Sequence, residues 1–392
     1  MTATATLRTA PRLDVDRLIG DPRTRIIVCC GSGGVGKTTV AAALGLRAAE
    51  QGRNVVVLTV DPARRLAQSM GLTALDNTPR VVAGAGAGSG AGSHAGSGSR
   101  AGGSLHAMML DMKRTFDEIV EAHADPGRAA QILANPFYQS LSSSFAGTQE
   151  YMAMEKLGQL RRAEEWDLIV VDTPPSRSAL DFLDAPQRLG RFLDGRLIRL
   201  LMAPARAGGR AYMKMLSAGF GIVTGVLTKV LGGQMLRDVQ TFVSALDTMF
   251  GGFRDRAERT YQLLQAPGTA FVVIAAPEPD ALREASYFVE RLADERMPLA
   301  GLIINRVHRP GADRLSAARS LAAAENLDDS RYPLAAGVLR LHAELMQLQA
   351  RECRLAEHFT SAHPAVPAIE VPALPEDVHD LDGLRVIGGY FG

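Results

Sequence analysis

A glycine-rich segment between a strand-like run and a helix-like run most constrains how this chain can fold. Residues 31–38 read GSGGVGKT and match the pattern G-x-x-x-x-G-K-[ST]. The apolar run RIIVCC (25–30) precedes the segment, and AAALGLRAAEQG (41–52) follows it. In that setting the glycines let backbone N–H groups converge on phosphate oxygens, and the helix N-terminus adds partial positive charge. The sequence therefore predicts a phosphate-binding loop (P-loop) in an α/β fold.

Short apolar runs recur along the chain and are separated by helix-like segments. The runs are rich in β-branched residues, as expected for strands buried on both faces of a parallel sheet. They lie at 25–30, 54–60, 167–172, 270–276 and 302–307, with weaker runs at 105–110 and 367–371. Helical periodicity lies between them, for example at 38–51 and 279–295. The alternation predicts a mostly parallel sheet flanked by helices.

Two stretches interrupt this alternation. Residues 83–104 form a Gly/Ala/Ser tract, which we interpret as a flexible surface insertion, with an ordered glycine-rich strand as the alternative. Residues 190–262 have helical patterns rich in Met and Phe and predict an inserted helical subdomain. Its Met residues either pack a core or line a plastic apolar groove for a partner. We therefore expect an N-terminal extension (1–24), a P-loop core in two parts (25–189 and 263–392) and a helical subdomain between those parts.

Composition excludes several classes of protein. The chain is 46% hydrophobic and 22% charged, which indicates a large buried core. Its formal net charge of +1 argues against nucleic-acid binding through bulk charge. Three cysteines without a CxxC pair support neither a disulfide scaffold nor a zinc knuckle. Because the N-terminus has no secretory pattern and no apolar run reaches about 18 residues, we expect a cytoplasmic protein.

Two aspartates at the ends of apolar runs fit phosphate chemistry. Asp172 ends the run DLIVVD, where a carboxylate can hold Mg²⁺, usually through water. In this type of loop Lys37 reaches the β- and γ-phosphates and the Thr38 hydroxyl ligates Mg²⁺. Asp61 follows the run NVVVLTV and precedes Pro62. It is either a turn carboxylate or helix cap, or a group that orients water at the γ-phosphate.

Five segments together resemble one family of ATPases. They are GSGGVGKTT, TVDPARRL, VVDTPPSRSALDFLDAPQRL, VLGGQMLRDVQ and LIINRV. Their identity and order are similar to those of the arsenite-pump ATPase and tail-anchored-protein targeting ATPase family. The resemblance covers roughly 25–80 and 105–310, with a looser match beyond. It implies a P-loop NTPase fold that binds ATP and Mg²⁺.

The same resemblance implies roles for particular residues. Asp61 would activate the attacking water with Lys37 at the phosphates, Asp172 and residues 173–178 would sense the γ-phosphate, and Thr38 and Asp172 would hold Mg²⁺. The side-chain amide of Asn305 would read adenine, although a turn residue after a strand is the alternative. The phosphate-binding set would be Gly33, Gly34, Val35, Gly36, Lys37, Thr38 and Thr39.

The chain departs from the family at a residue that would act across a dimer. Family members are dimers that sandwich ATP, and their loop has a lysine where this chain has Ser32. A cation supplied by a partner contributes about 10³–10⁵ in rate. The chain therefore hydrolyses ATP slowly, uses another cation such as Arg177, or receives the lysine from a paralogous P-loop ATPase. A homodimer and a heteromer both remain open, and we favour the heteromer.

The cysteines bear on two further family properties. Without a CxxC pair, we expect no structural zinc clamp. Cys29 and Cys30 are adjacent on a predicted strand and so face opposite ways, and Cys353 is distant in sequence. We expect buried, inert thiols, which disfavours an arsenite-activated role.

Three functions follow as hypotheses. The first is a Mg²⁺-dependent ATPase that switches a targeting factor or chaperone for hydrophobic clients or membrane proteins, bound at 190–262. The second is the ATPase subunit of an arsenite or other anion efflux pump. The third is a weakly hydrolytic regulatory subunit of a heteromeric ATPase.

Overall fold

Eight strands form a single sheet in the part of the chain that the computed structural model describes. The described residues are 10–60, 65–86, 102–136, 138–139, 149–174, 256, 258–312, 314–327 and 331–392. The strands are β1 (Ile26–Cys30), β2 (Asn54–Thr59), β3 (Arg80–Val81), β4 (Ser104–Met109), β5 (Leu168–Asp172), β6 (Thr269–Ala275), β7 (Leu299–Val307) and β8 (Ala368–Pro372). Every apolar run expected to be a strand is one.

The sheet is parallel except at one edge. Its order is β3-β4-β2-β5-β1-β6-β7-β8, and only β3, which pairs with β4, is antiparallel. Every residue of β1, β5 and β6 is buried, because central parallel strands are covered on both faces. The predicted α/β fold with a mostly parallel sheet is thus confirmed. The carboxyl ends of β1, β2 and β5 meet at one edge, where ligands of open α/β sheets bind.

Ten labelled helices accompany the sheet in the described residues. They are α1 (Val15–Gly20), α2 (Lys37–Glu50), α3 (Arg65–Ser69), α4 (Met112–His123), α5 (Pro126–Leu133), α6 (Gln149–Ala163), α7 (Pro279–Asp294), α8 (Ala317–Glu325), α9 (Pro333–Ala362) and α10 (Leu381–Gly389). Residues 258–265 are also helical. None of the helices in the described ranges is both long and apolar enough to cross a membrane.

The chain divides into two compact units. The first contains Met1–Met109, Glu164–Leu180 and Leu264–Gly392, and so carries all eight strands. The second contains Leu110–Ala163 and Asp181–Leu263. The domain boundaries expected from the sequence stay predictions. Most of the predicted helical subdomain, and 87–101 of the Gly/Ala/Ser tract, lie outside the described residues.

Helix α2 is held tightly on the sheet within the first unit. Ten of its fourteen residues are buried, and α10 packs against it. Gly45 lies so close to Val57 of β2 and Leu105 of β4 that an added Cβ would crowd both side chains. This packing fixes the start of α2 relative to the strand ends.

The second unit contains a buried ion pair between α6 and the segment before 258–265. Arg256 Nε lies 3.0 Å from Glu155 Oε2, and both side chains are less than a tenth exposed. Arg256 Nη1 also donates to His123 Nε2 at 3.1 Å, while the Ile119 carbonyl lies 3.0 Å from His123 Nδ1. Since a carbonyl only accepts and a guanidinium only donates, His123 donates through Nδ1 and accepts through Nε2 in this arrangement.

Candidate active site

The loop between β1 and α2 leaves the start of α2 open to a ligand. Gly36 precedes the helix in the left-handed region, with φ 90° and ψ 25°, and no side chain in the described ranges caps it. The first N–H groups of a helix have no partners within the helix. An uncapped start directly after a parallel strand is therefore suited to an anion.

Glycine is required at both ends of this loop. An added Cβ at Gly31 would collide with the carbonyl oxygen of Ile274 in β6. At Gly36 a Cβ would collide with the side-chain amide of Asn305, and its positive φ also disfavours other residues. Gly33 and Gly34, between these positions, are exposed at the loop tip.

The lysine of the motif lies folded over the loop. Its side chain is buried, and Lys37 Nζ donates to the Ser32 carbonyl at 2.7 Å. The ammonium is thus held where a phosphate oxygen can replace the carbonyl. Ser32 contributes its backbone oxygen to this contact, but its own side chain carries no charge.

Asp172 receives hydrogen bonds from two threonines. It ends β5 and is fully buried, and its Oδ2 accepts from Thr38 Oγ1 at 2.8 Å and from Thr59 Oγ1 at 2.9 Å. Thr38 lies in the first turn of α2, and Thr59 ends β2 as the register partner of Asp172. The structure thus brings Lys37, Thr38 and Asp172 to one edge of the sheet, as their positions after strands predict.

Thr59 is a site residue that the sequence analysis did not single out. The signal was available in principle, because parallel neighbouring strands bring their last residues together. The sequence predicts both strands but does not specify their order in the sheet. Without knowing that β2 and β5 are neighbours, nothing distinguished Thr59 from other strand residues.

Asn305 reaches the loop from β7. Its side chain is buried, and Nδ2 donates to the Val35 carbonyl at 2.8 Å. This contact crosses from the opposite side of β1, because β6 and β7 follow β1 in the sheet. The structure therefore places Asn305 at the P-loop, while its predicted role in reading adenine stays a prediction.

Thr173 continues the chain beyond Asp172 and is bound to β1. Its Oγ1 donates to the Cys29 carbonyl at 2.8 Å. Thr39 lies in the first turn of α2 and is half-buried. Asp61, Arg177 and the rest of the predicted sensing segment, at 175–178, lie outside the described residues.

Cys29 and Cys30 are buried beside this cluster. Both side chains are almost inaccessible, as expected, and burial raises the pKa of the Cys30 thiol to about 12. Burial also raises the pKa of Cys29, and the nearby Asp172 carboxylate adds to that rise. Both thiols are therefore neutral at physiological pH.

The residues at the strand ends fit Mg²⁺. A hydroxyl (Thr38) and a carboxylate (Asp172) at hydrogen-bond distance are hard oxygen donors of the kind that Mg²⁺ prefers. Mg²⁺ is commonly held by one or two protein oxygens together with substrate phosphates, rather than by a protein cage. The described ranges contain no cluster of three or more His, Cys, Asp or Glu residues able to hold a metal ion.

Comparisons with known proteins agree on one family. A family model described as anion-transporting ATPase matches residues 24–326. The protein named ATPase GET3 from Malassezia globosa is 26% identical over 193 residues, which are 49% of this chain and 52% of that protein. Those from Ajellomyces dermatitidis and Blastomyces gilchristii are each 23% identical over 301 residues, 76% of this chain and 77% of theirs. The chain thus spans about half the length of the first relative and three quarters of the other two.

Proposed function

This chain belongs to the anion-transporting ATPase family and is an ATP-hydrolysing enzyme, and we propose that it hydrolyses Mg²⁺·ATP at the loop 31–39 to switch the conformation of a dimer. The observation that carries this proposal is the convergence of Lys37, Thr38 and Asp172 at one sheet edge. Lys37 is within 2.7 Å of the Ser32 carbonyl, and Thr38 is within 2.8 Å of the Asp172 carboxylate. These groups match the needs of a bound triphosphate in charge and in hydrogen bonding.

The residues of the chain divide the work of hydrolysis. Lys37 releases the Ser32 carbonyl and binds oxygens of the β- and γ-phosphates. The first N–H groups of α2 donate hydrogen bonds to the phosphates. Thr38 and Asp172 hold Mg²⁺, the latter through water, and the chemistry that Mg²⁺ supplies when bound is neutralisation of phosphate charge. Asp61 orients the attacking water. Rate enhancement then comes from positioning and electrostatics, with no covalent intermediate.

Asn305 is the residue that binds the adenine base in this proposal. Its amide lies against the P-loop through the Val35 carbonyl. The Nδ2 atom carries two hydrogens and the Oδ1 atom is an acceptor, so the group can serve the loop and a base edge together. Adenine, which presents both a donor and an acceptor on one edge, matches this amide.

The working unit is a dimer with one P-loop per chain. Ser32 carries no cation, so the partner's site would lack the charge that family members place there. We therefore propose a heteromer with a paralogous P-loop ATPase, with a homodimer that uses Arg177 as the alternative. The buried, neutral Cys29 and Cys30 give no support to an arsenite-activated pump.

The proposed client of the switch is a hydrophobic segment of a protein, such as a membrane protein. The Met and Phe content of 190–262 supports this proposal, since unbranched Met side chains adapt to different apolar partners. The absence of a lysine at residue 32 favours a second candidate function, a weakly hydrolytic regulatory subunit.

The proposal is tested by ATP turnover with Mg²⁺, for the pure chain and for a mixture with any paralogous P-loop ATPase that co-purifies. We expect Lys37→Ala and Asp61→Asn to lower kcat by about 10²-fold or more in whichever sample turns over. Lys113→Ala is the matched control, because Lys113 is half-exposed on α4 and pairs with Asp117. Undiminished turnover in Lys37→Ala would refute the assignment of the site.

A further inference from the structure

We propose that Thr59 is a positioning residue that fixes the Asp172 carboxylate for metal binding, whether or not a nucleotide is present. This inference rests on the proposed function, because it concerns the same Mg²⁺·ATP site. The carboxylate and both threonines lie at the ends of elements whose places are set by the sheet. Thr59 itself touches neither nucleotide nor metal in this account, and it acts only through Asp172.

The geometry singles out one oxygen of the carboxylate. Thr38 Oγ1 and Thr59 Oγ1 both donate to Asp172 Oδ2, at 2.8 and 2.9 Å. Two donors on one oxygen restrain rotation of the carboxylate about its Cβ–Cγ bond, because a rotated group would lose both bonds at once. The orientation of the other oxygen, Oδ1, is then determined as well.

The two threonines differ in what surrounds them. Thr38 is half-buried at the mouth of the loop, where its hydroxyl oxygen is expected to bind metal. Thr59 is 1% exposed, and it pairs in register with Asp172 between two parallel strands. A ligand can therefore rearrange Thr38, whereas Thr59 is enclosed by the sheet and keeps its hydrogen bond.

Thr59 also lies close in sequence to Asp61, the residue proposed to orient the attacking water. It is the last residue of β2, and Asp61 follows two residues later. The hydrogen bond to Asp172 thus joins the end of β2, which leads to the water-orienting residue, to the end of β5, which carries the metal-binding residue. The Val60 N–H also donates to the Asp172 carbonyl at 3.0 Å, so loss of the Thr59 hydroxyl would affect the carboxylate while the two strand ends stay paired.

Partners of metal ligands usually contribute 10–100-fold to metal affinity or activity. We therefore expect Thr59→Val, which keeps the shape but removes the hydroxyl, to weaken Mn²⁺ binding about 10-fold or more. Mn²⁺ stands in for Mg²⁺, and the free ion is measured by electron paramagnetic resonance with saturating ADP, so no turnover is needed. Thr59→Ala also lacks the hydroxyl and serves if the valine variant does not fold.

Two controls separate positioning from packing. Thr59→Ser restores the hydroxyl without the methyl group, and we expect its Mn²⁺ affinity to return to within about 3-fold of the wild type. Thr360→Val removes a buried hydroxyl that donates to the Glu357 carbonyl on α9, remote from the site, and should leave Mn²⁺ affinity unchanged. Melting temperatures of all variants report the general effect on stability.

The outcomes are distinguishable. Weak Mn²⁺ binding in Thr59→Val and Thr59→Ala with recovery in Thr59→Ser supports the inference. Wild-type affinity in Thr59→Val, or equal weakening in the serine and valine variants, overturns it. If the wild-type protein binds neither ADP nor Mn²⁺, the proposed function fails, and this inference is overturned with it.

Discussion

At the scale of single residues, the site depends on how closely the P-loop approaches Asn305. Gly36 has a positive φ, and its Cα faces the Asn305 amide so closely that no Cβ fits. The amide in turn donates to the carbonyl of Val35, the residue before Gly36. The P-loop can therefore pack against Asn305, the residue predicted to bind adenine, only because residue 36 is glycine.

Substitution of this glycine should affect both stability and ligand binding. Gly36→Ala places a side chain in the left-handed region, which costs roughly 1–2 kcal/mol, and it also displaces Asn305. Gly52→Ala is the matched control, because Gly52 has φ +96° but open space around its Cα. Urea unfolding should show a loss of stability for both variants, at least as large for Gly36→Ala as for Gly52→Ala, whereas ATP titration should show weakened binding only for Gly36→Ala. Equal ATP affinity in the two variants would contradict the role given to Asn305.

The buried cysteines give a second prediction at this scale. Because burial raises the pKa of Cys29 and Cys30, neither forms a reactive thiolate near pH 8. We expect iodoacetamide to label half-buried Cys353 in the native protein, and all three cysteines only in denaturant, as read by mass spectrometry. Rapid native labelling of Cys29 or Cys30 would disagree with this burial.

The same pKa shifts set the direction of a pH effect on stability. The pKa values of Cys29 and Cys30 in the folded state lie above the unfolded value of about 8.5. The two thiols therefore stay protonated to a higher pH in the folded state than in the unfolded state. Their contribution to stability is complete below about pH 8.5 and is lost as pH rises toward the folded pKa of Cys30, about 12. Replacing both cysteines with serine should reduce that alkaline loss in urea unfolding experiments.

At the scale of elements, Arg53 connects the segments that precede three strands. It precedes β2 and is 8% exposed. Its guanidinium donates to the carbonyls of Ile19 in α1 (2.6 Å), Thr24 before β1 (2.6 Å) and Asp167 before β5 (2.5 Å). Burial lowers its pKa, yet an arginine remains charged at any physiological pH. The amino edge of the sheet thus has a fixed cation opposite the edge that carries the site.

Arg53→Lys should destabilise the first unit although it conserves charge. A single ammonium cannot span carbonyls that a planar guanidinium reaches together, and a buried acceptor left without its donor costs about 1–3 kcal/mol. We expect the unfolding free energy to fall by about 2–3 kcal/mol. Arg23→Lys is the control, since Arg23 is 85% exposed in its pair with Asp21 and should remain close to wild type. Equal stability of the two variants would contradict the role of Arg53.

Strands and helices were predictable from the sequence where their apolar pattern extended over enough residues to be recognised. The apolar runs became strands β1, β2 and β4 to β8, and the segments 38–51 and 279–295 became α2 and α7. The two-residue β3 and the six-residue α1 escaped prediction, because neither is long enough for its pattern to repeat twice. Side-chain contacts such as that of Thr59 with Asp172 depend on the order of the strands in the sheet. A local sequence pattern does not specify that order.

At the scale of the whole molecule, Ser32 raises the question of what completes the site. The loop, the metal-binding pair and Asn305 were expected from motifs in one chain, and the structure brings them together. A charge supplied by a second chain cannot be read from this chain's own contacts. We therefore propose that the ATP-binding site lies within this chain and that a second chain supplies the catalytic charge.

Restoring that charge is a direct test of this deficiency. If the missing cation limits a homodimer, Ser32→Lys should raise kcat of the pure chain by up to about 10³-fold, the lower end of what a cation supplied in trans contributes. Ser32→Met is the matched control, with a long side chain and no charge. An unchanged rate in Ser32→Lys would mean that Ser32 does not limit turnover of the pure chain.

The central claim is that this chain has one ATP site, built on Lys37, Thr38 and Asp172, and binding tests it more directly than turnover because hydrolysis can await a partner's lysine. The measurement is a calorimetric titration of the pure chain with a non-hydrolysable ATP analogue and Mg²⁺. We expect one analogue to bind per chain, with binding lost in Lys37→Ala and retained in Lys113→Ala. Undiminished binding in Lys37→Ala, or no binding by the wild type, would contradict it.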